Sequence, residues 1–226
     1  MNAVSTALFA MLIATSAAAQ ERLNLAYRGV SLGDTAEHAQ AEARKNFEVV
    51  QLDKLSEGMQ TVRAGDQNGM RDASCPYAAP ASLRVDCQRV SYSLNVYEGQ
   101  LQVTHIGVTQ SFRHALPLAA FMSRIEGSYG KPRALYGSAH DRTLLWGGDK
   151  TPPTHFALSG YPYGDSEQVG GKHILMRVCS TQDGVIGYEL RISDHDLSLK
   201  RQAESKHKAI DAIEAAQNDG ISKLKF

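Results

Sequence analysis

Between Val90 and Val103 the apolar residues fall on every second position: Val90, Tyr92, Leu94 and Val96, then Leu101 and Val103 beyond Glu98-Gly99. A period of two puts those side chains on one face of a strand. A short glycine-containing pair between two such runs is a hairpin turn. This segment therefore predicts a hairpin with one face buried. The same grammar returns near the end of the chain, where "HILMRVCS", Gln182-Asp183-Gly184 and "VIGYELRIS" predict a second hairpin.

Helical patterns precede both hairpins. Asp34 with Glu37 three residues on is a capping-box signature, and Ala36, Ala39, Ala43 and Phe47 then mark one narrow helical face. "FEVVQL" returns as a strand. The polar stretch from Ser56 to Ala81 is long for an ordered loop, and a short strand near Met59 to Val62 or a disulfide is expected to order part of it. Pro117 suits a first helical turn, and Leu118, Phe121, Met122 and Ile125 recur at helical spacing. Gly130 is placed to cap this helix and Pro132 forbids its continuation, so "RIEGSYGKPRALYG" reads as a helix-to-strand corner, with "RALYG" and "TLLWGG" as strands.

Each half thus reads as a helix, a corner and an antiparallel meander ending in a hairpin. The expected fold is α+β: two similar helix-plus-antiparallel-sheet halves, residues 20–112 and 113–193, followed by a C-terminal helix and tail over 194–226. That last segment has high helix propensity and dense charge, and Leu199, Ala203, Ile210 and Ile213 give it only a thin apolar stripe.

Residues 1–19 are uncharged, centre on the apolar run Ala7 to Ala14, and end with Ala17 and Ala19 at the positions signal peptidase reads. They are expected to be a cleaved secretion signal, with a periplasmic or secreted mature chain starting near Gln20. No later segment approaches the roughly 18 apolar residues of a membrane span. Lys plus Arg number 24 and Asp plus Glu number 24, so no net field draws the chain to nucleic acid or anionic lipid. Three cysteines in an oxidising compartment allow three pairings. Cys75 with Cys87 is favoured, because it closes the loop "PYAAPASLRVD", and Cys179 is then a free thiol in an apolar strand.

"YRGVSLGDTAEHA" and "FMSRIEGSYGKPRALY" resemble a motif pair of exported bacterial proteins: G-x-x-L-G-x-(S/T)-x-E-x-A near the start, then a helix ending (Y/L)-G-x-P before a strand. The chain is similar in this respect to envelope modules of the SmpA/OmlA type and to tandem-repeat beta-lactamase inhibitor proteins. The resemblance rests on Gly29, Leu32, Gly33, Thr35, Glu37, Gly130 and Pro132. It implies helices packed on an antiparallel sheet and a role in binding other proteins without catalysis. The lipobox cysteine of the envelope lipoproteins is missing.

Candidate chemistry is sparse. "SDHDLS" gathers Asp194, His195 and Asp196, which a helix cap explains as well as a metal would; no H-x-H, H-E-x-x-H or paired C-x-x-C occurs, and no metal site is expected. "SAHDRT" sets His140 and Asp141 at a turn, without a G-x-S-x-G elbow. "QVGGKH" lacks the full phosphate-cradle pattern. Tyr161 and Tyr163 flank Pro162 in a Gly- and Ser-rich loop, and tyrosine gives contact area at low entropic cost, so they are the candidate binding residues. The leading expectation is an exported module that binds an envelope or extracellular protein and needs no cofactor. The alternatives are an exported hydrolase, with His140 and Asp141 first to test, and a structural accessory domain.

Overall fold

The computed structural model describes residues 23–56, 58–71, 81–138, 140–151 and 167–222. Its first half is helix α1 (Ala36–Asn46) followed by strands β3 (Val49–Ser56), β4 (Met59–Gly65), β5 (Cys87–Tyr97) and β6 (Gln100–Leu116). A short helix α2 (Gln67–Arg71) leaves β4. The second half is helix α3 (Leu118–Tyr129) followed by β7 (Ala134–Gly137), β8 (Asp141–Gly147), β9 (Lys172–Thr181) and β10 (Gly184–Asp194). All eight strands form one antiparallel sheet in the order β3-β4-β5-β6-β10-β9-β8-β7. The two four-strand meanders are therefore mirrored, and they join through their last strands. The expected α+β fold of two similar halves is what the chain adopts. β6, the last strand of the first meander, runs on to Leu116.

The hairpin that opens the sequence argument is β5–β6. Its turn residues Glu98 and Gly99 have φ of 50° and 79°, the positive pair that a two-residue turn needs to match strand twist. The apolar alternation becomes the buried face. Val62, Tyr92, Ile106, Ile192, Ile174 and Trp146 lie side by side across six strands, all buried. Each such side chain contributes about 1.5–3 kcal/mol on burial.

Both helices add to the same apolar cluster. Ala36, Ala39 and Ala43 bring α1 down on the sheet, small enough for close approach. Phe121 of α3 stacks edge-on against Phe112 at 6.5 Å and against Tyr188 at 5.7 Å. The N-cap of α1 lies one residue beyond the expected Asp34. Thr35 caps it, accepting from the His38 amide at 3.3 Å, because the Asp34 carboxylate turns back to take the Ser31 amide at 2.7 Å. The alternation Leu23, Leu25, Tyr27 yields only a two-residue strand β1 (Ala26–Tyr27) paired with β2 (Val30–Ser31). Those three side chains instead pack against the core.

Helix α4 (His195–Ser222) starts where β10 ends. Asp194 caps it, its Oδ1 accepting from the Leu197 amide at 3.0 Å, so the Asp194-His195-Asp196 cluster is a helix start. α4 lies against β5 and leaves Leu199 and Ile210 exposed, as its thin stripe implies.

Candidate functional site: the polar face of the sheet

With α1 and α3 on one face, the second face of the sheet is built from the alternate residues of the same strands. One row runs Arg89, Thr109, Glu189, Arg177, Thr143, Tyr136 from β5 to β7. The next, toward the α4 end, runs Arg63, Ser91, Gly107, Arg191, Leu175, Leu145 from β4 to β8. A third reads Thr61, Ser93, His105, Ser193, His173, Gly147 over the same strands. Among the described residues, apolar packing on this face forms a cluster of Leu145, Val169 and Leu175 with Ala134 and Tyr136. The other members of these rows are charged groups, hydroxyls, glycines and the imidazoles of His105 and His173.

Its ion pairs are ordered across strands. Arg177 donates to the Asp141 carboxylate through Nε at 2.9 Å and Nη2 at 2.7 Å, which holds the Asp141 carboxyl below its usual range. Arg63 pairs in the same way with Asp53 of β3. Asp141 keeps 49% and Arg177 35% of its side-chain surface exposed, so these charges are presented to solvent at the sheet surface.

The third row holds two histidines whose pKa values burial lowers. His105 Nδ1 lies 2.7 Å from Ser193 Oγ. Its imidazole is pushed down to about 4, first by burial, then by the Arg191 charge and by the repulsion that a proton on His173 would add. Gly107 beside it makes room for Ser91: a Cβ there would sit 2.8 Å from Ser91 Oγ, whereas its 3.6 Å from His105 Nε2 is ordinary contact. His173 is fully buried; its Nδ1 contacts the Gly170 and Gly171 carbonyls at 3.2 and 3.1 Å, and burial lowers its pKa as well. The His105–Ser193 contact has the length of a base–nucleophile pair, but Ser193 is 4% exposed. The row ties β6, β10 and β9 together where α4 begins.

The Asp141 carboxylate is engaged by Arg177 rather than by His140. Ser138 Oγ accepts the backbone amides of both at 3.3 Å, and Ser180 N–H donates to the His140 carbonyl at 2.8 Å. The Asp141 carboxylate is turned to Arg177, and His140 is exposed at the turn. This is a polar turn. Gly170 and Gly171 of "QVGGKH", with φ of 70° and 46°, lead directly into β9.

The α3–β7 corner is latched from β8. Gly130 has φ 76° and ψ −173°, a region open essentially to glycine alone, and its amide donates to the Glu126 carbonyl at 2.8 Å. Trp146 Nε1 donates to the Gly130 carbonyl at 2.9 Å, while Arg133 Nη1 donates to the carbonyls of Gly147 at 3.1 Å and Gly148 at 2.6 Å. A cleft of about 720 Å³ lies beside it, lined in part by Leu23, Tyr129, Lys131 and Trp146. Burial pushes the Tyr129 hydroxyl up to about 12.

Cys179 is a free thiol pushed up to about 11 by burial, with Arg177 opposing the shift. That is the reverse of what a nucleophilic thiolate needs. Cys87 is disulfide-bonded. Residues 1–19, Cys75, Tyr161 and Tyr163 lie outside the described residues. Among the described residues, no three His, Cys, Asp or Glu side chains gather to hold a metal, and no helix is long and apolar enough to cross a membrane. The polar rows were not found from sequence, although the strands that carry them were. The available signal was the off-phase positions of each strand, such as Thr109 in β6 and Glu189 in β10.

Fold and face together define a mirrored α+β sheet with one apolar, helix-covered side and one charged side. No family model matches the chain, and no curated protein or solved structure matches it either.

Proposed function

We propose that this chain is a soluble exported module that binds another protein of the bacterial envelope or extracellular space, without catalysis and without a cofactor. Contact is made by the charged face of the sheet together with the segment carrying Tyr161 and Tyr163. The observation that carries this reading is the pair of ion-paired arginines, Arg63 with Asp53 and Arg177 with Asp141, set near opposite ends of one sheet face and part exposed. Paired charges spread over a rigid platform favour recognition of a complementary surface and steer its approach. The mirrored halves are in keeping with the tandem-repeat binding modules that the corner motifs resemble. Export follows from the signal-like residues 1–19, and Cys75 is taken as the partner of Cys87, since Cys179 is free.

The test is affinity capture. The chain beginning at Gln20 is incubated with envelope extract, crosslinked, and its partners identified by mass spectrometry. An Arg63→Ala/Arg177→Ala variant, a Tyr161→Ala/Tyr163→Ala variant and a helix-side control, Glu126→Lys, run in parallel. One dominant partner that is lost with the first two variants and kept by the control is the expected result. A partner lost only with the control, or none at all, refutes the reading.

A further inference from the structure

The two ends of the sheet are unlike. β7 is four residues long, whereas β3 is eight. Among the described residues β3 pairs only with β4. An edge strand turns alternate amides and carbonyls outward, and a long edge is a template for a further strand unless it is covered. This edge also carries exposed apolar side chains: Leu52 is 51% and Leu55 65% exposed, and Met59 beside them on β4 is 39% exposed.

We infer that two copies of the chain associate through β3, pairing antiparallel about Gln51 to continue the sheet from one copy into the other. A twofold axis normal to the sheet keeps the helix-covered faces of both copies on the same side. Residues placed opposite each other must then come from the same face, so the register moves in steps that keep side-chain parity. Three centres lie near the middle of the eight-residue strand. Centring on Asp53 sets two aspartates face to face. Centring on Leu52 sets Lys54 against Val50. Centring on Gln51 sets Glu48, one residue before β3, against Lys54, Val50 against Leu52 and Val49 against Asp53, each twice; it alone sets opposite charges face to face, and the Asp53 carboxylate opposite Val49 is already held by Arg63. Glu48, Leu52 and Lys54 are all exposed. The register shift between Lys54 and Ser56 falls just past Lys54 and ends the paired segment there. The occupant is therefore a second copy, selected by charge complementarity.

The experiment is sedimentation equilibrium of the purified chain, with circular dichroism on every variant to show that it is folded. The native chain is expected to show a concentration-dependent monomer–dimer equilibrium. Glu48→Lys alone, or Lys54→Glu alone, sets like charges opposite each other at two places and should weaken association by about tenfold or more. An equimolar mixture of these two variants sets opposite charges face to face again at both places and should recover native association, as should the double swap in one chain. A native chain that is monomeric at every concentration, single variants that associate as the native chain does, or a mixture that remains monomeric overturns the inference.

Discussion

Replacing Trp146 by phenylalanine separates the latch at the α3–β7 corner from mere bulk. Trp146 is 2% exposed, donates to the Gly130 carbonyl at 2.9 Å and lies 5.8 Å from the Tyr129 ring. Phenylalanine keeps an aromatic ring but removes the donor, so the carbonyl of the helix-closing glycine loses its partner. Gly130 is half-buried, so water replaces part of that bond, and a net loss of about 1 kcal/mol is expected. The smaller ring forfeits one to two methylene equivalents of burial, at ~0.8 kcal/mol each. Together these come to about 2–3 kcal/mol. For a chain of this size that lowers Tm by roughly 4–10 °C. Scanning calorimetry is the assay, because Trp146 is the only tryptophan and its fluorescence cannot report on its own removal. A Tm within about 1 °C of native would show that the indole does not hold the corner, and the latch would have to be assigned to Arg133 alone.

The remaining predictions concern charge and covalent linkage. His105, at about 4 against an ordinary 6.5, and His173, also lowered, are neutral in the folded chain. The His105 contribution is complete above pH 6.5 and is lost as pH falls from 6.5 toward 4, where the unfolded chain takes up a proton that the fold refuses, and His173 acts in the same direction. Urea unfolding at pH 5 should show about 1–2 kcal/mol less stability than at pH 7, with a shallower slope in His105→Gln; an unchanged midpoint between the two pH values contradicts the burial of these rings. Arg177→Ala should raise the Asp141 carboxyl toward its ordinary range, followed by NMR titration, and cost under about 1 kcal/mol because the pair is part exposed. Non-reducing peptide mapping should recover Cys75 and Cys87 as one linked peptide, and Cys75→Ser should destabilise by roughly 3 kcal/mol; two free thiols there refute the pairing.

What sequence made legible was the apolar side of the protein. The alternation in Val90 to Val103 located β5 and β6, and the glycine and proline at 130 and 132 located the corner, because burial and backbone conformation act within a few residues. The seam of the sheet was not legible. Pairing of β6 with β10 brings Ser193 to His105 across 88 positions, and no local pattern encodes which distant strands become neighbours. The continuity of the rows depends on that pairing, so Thr109 in one hairpin and Glu189 with Arg177 in the other looked unrelated. The N-cap of α1 differed by one residue for a local reason. Both Asp34 and Thr35 are good caps, and the turn at Ser31 took the aspartate.

Carboxylate footprinting of the captured complex shows which face of the sheet the partner covers. The chain is labelled with a carbodiimide, alone and with its crosslinked partner, and modification is read at each acidic residue. The account predicts that Asp141 and Asp53 on the charged face are protected by the partner while Glu126 on α3 is labelled as before. Protection of Glu126 with Asp141 and Asp53 unchanged would place the partner on the helix side and contradict it.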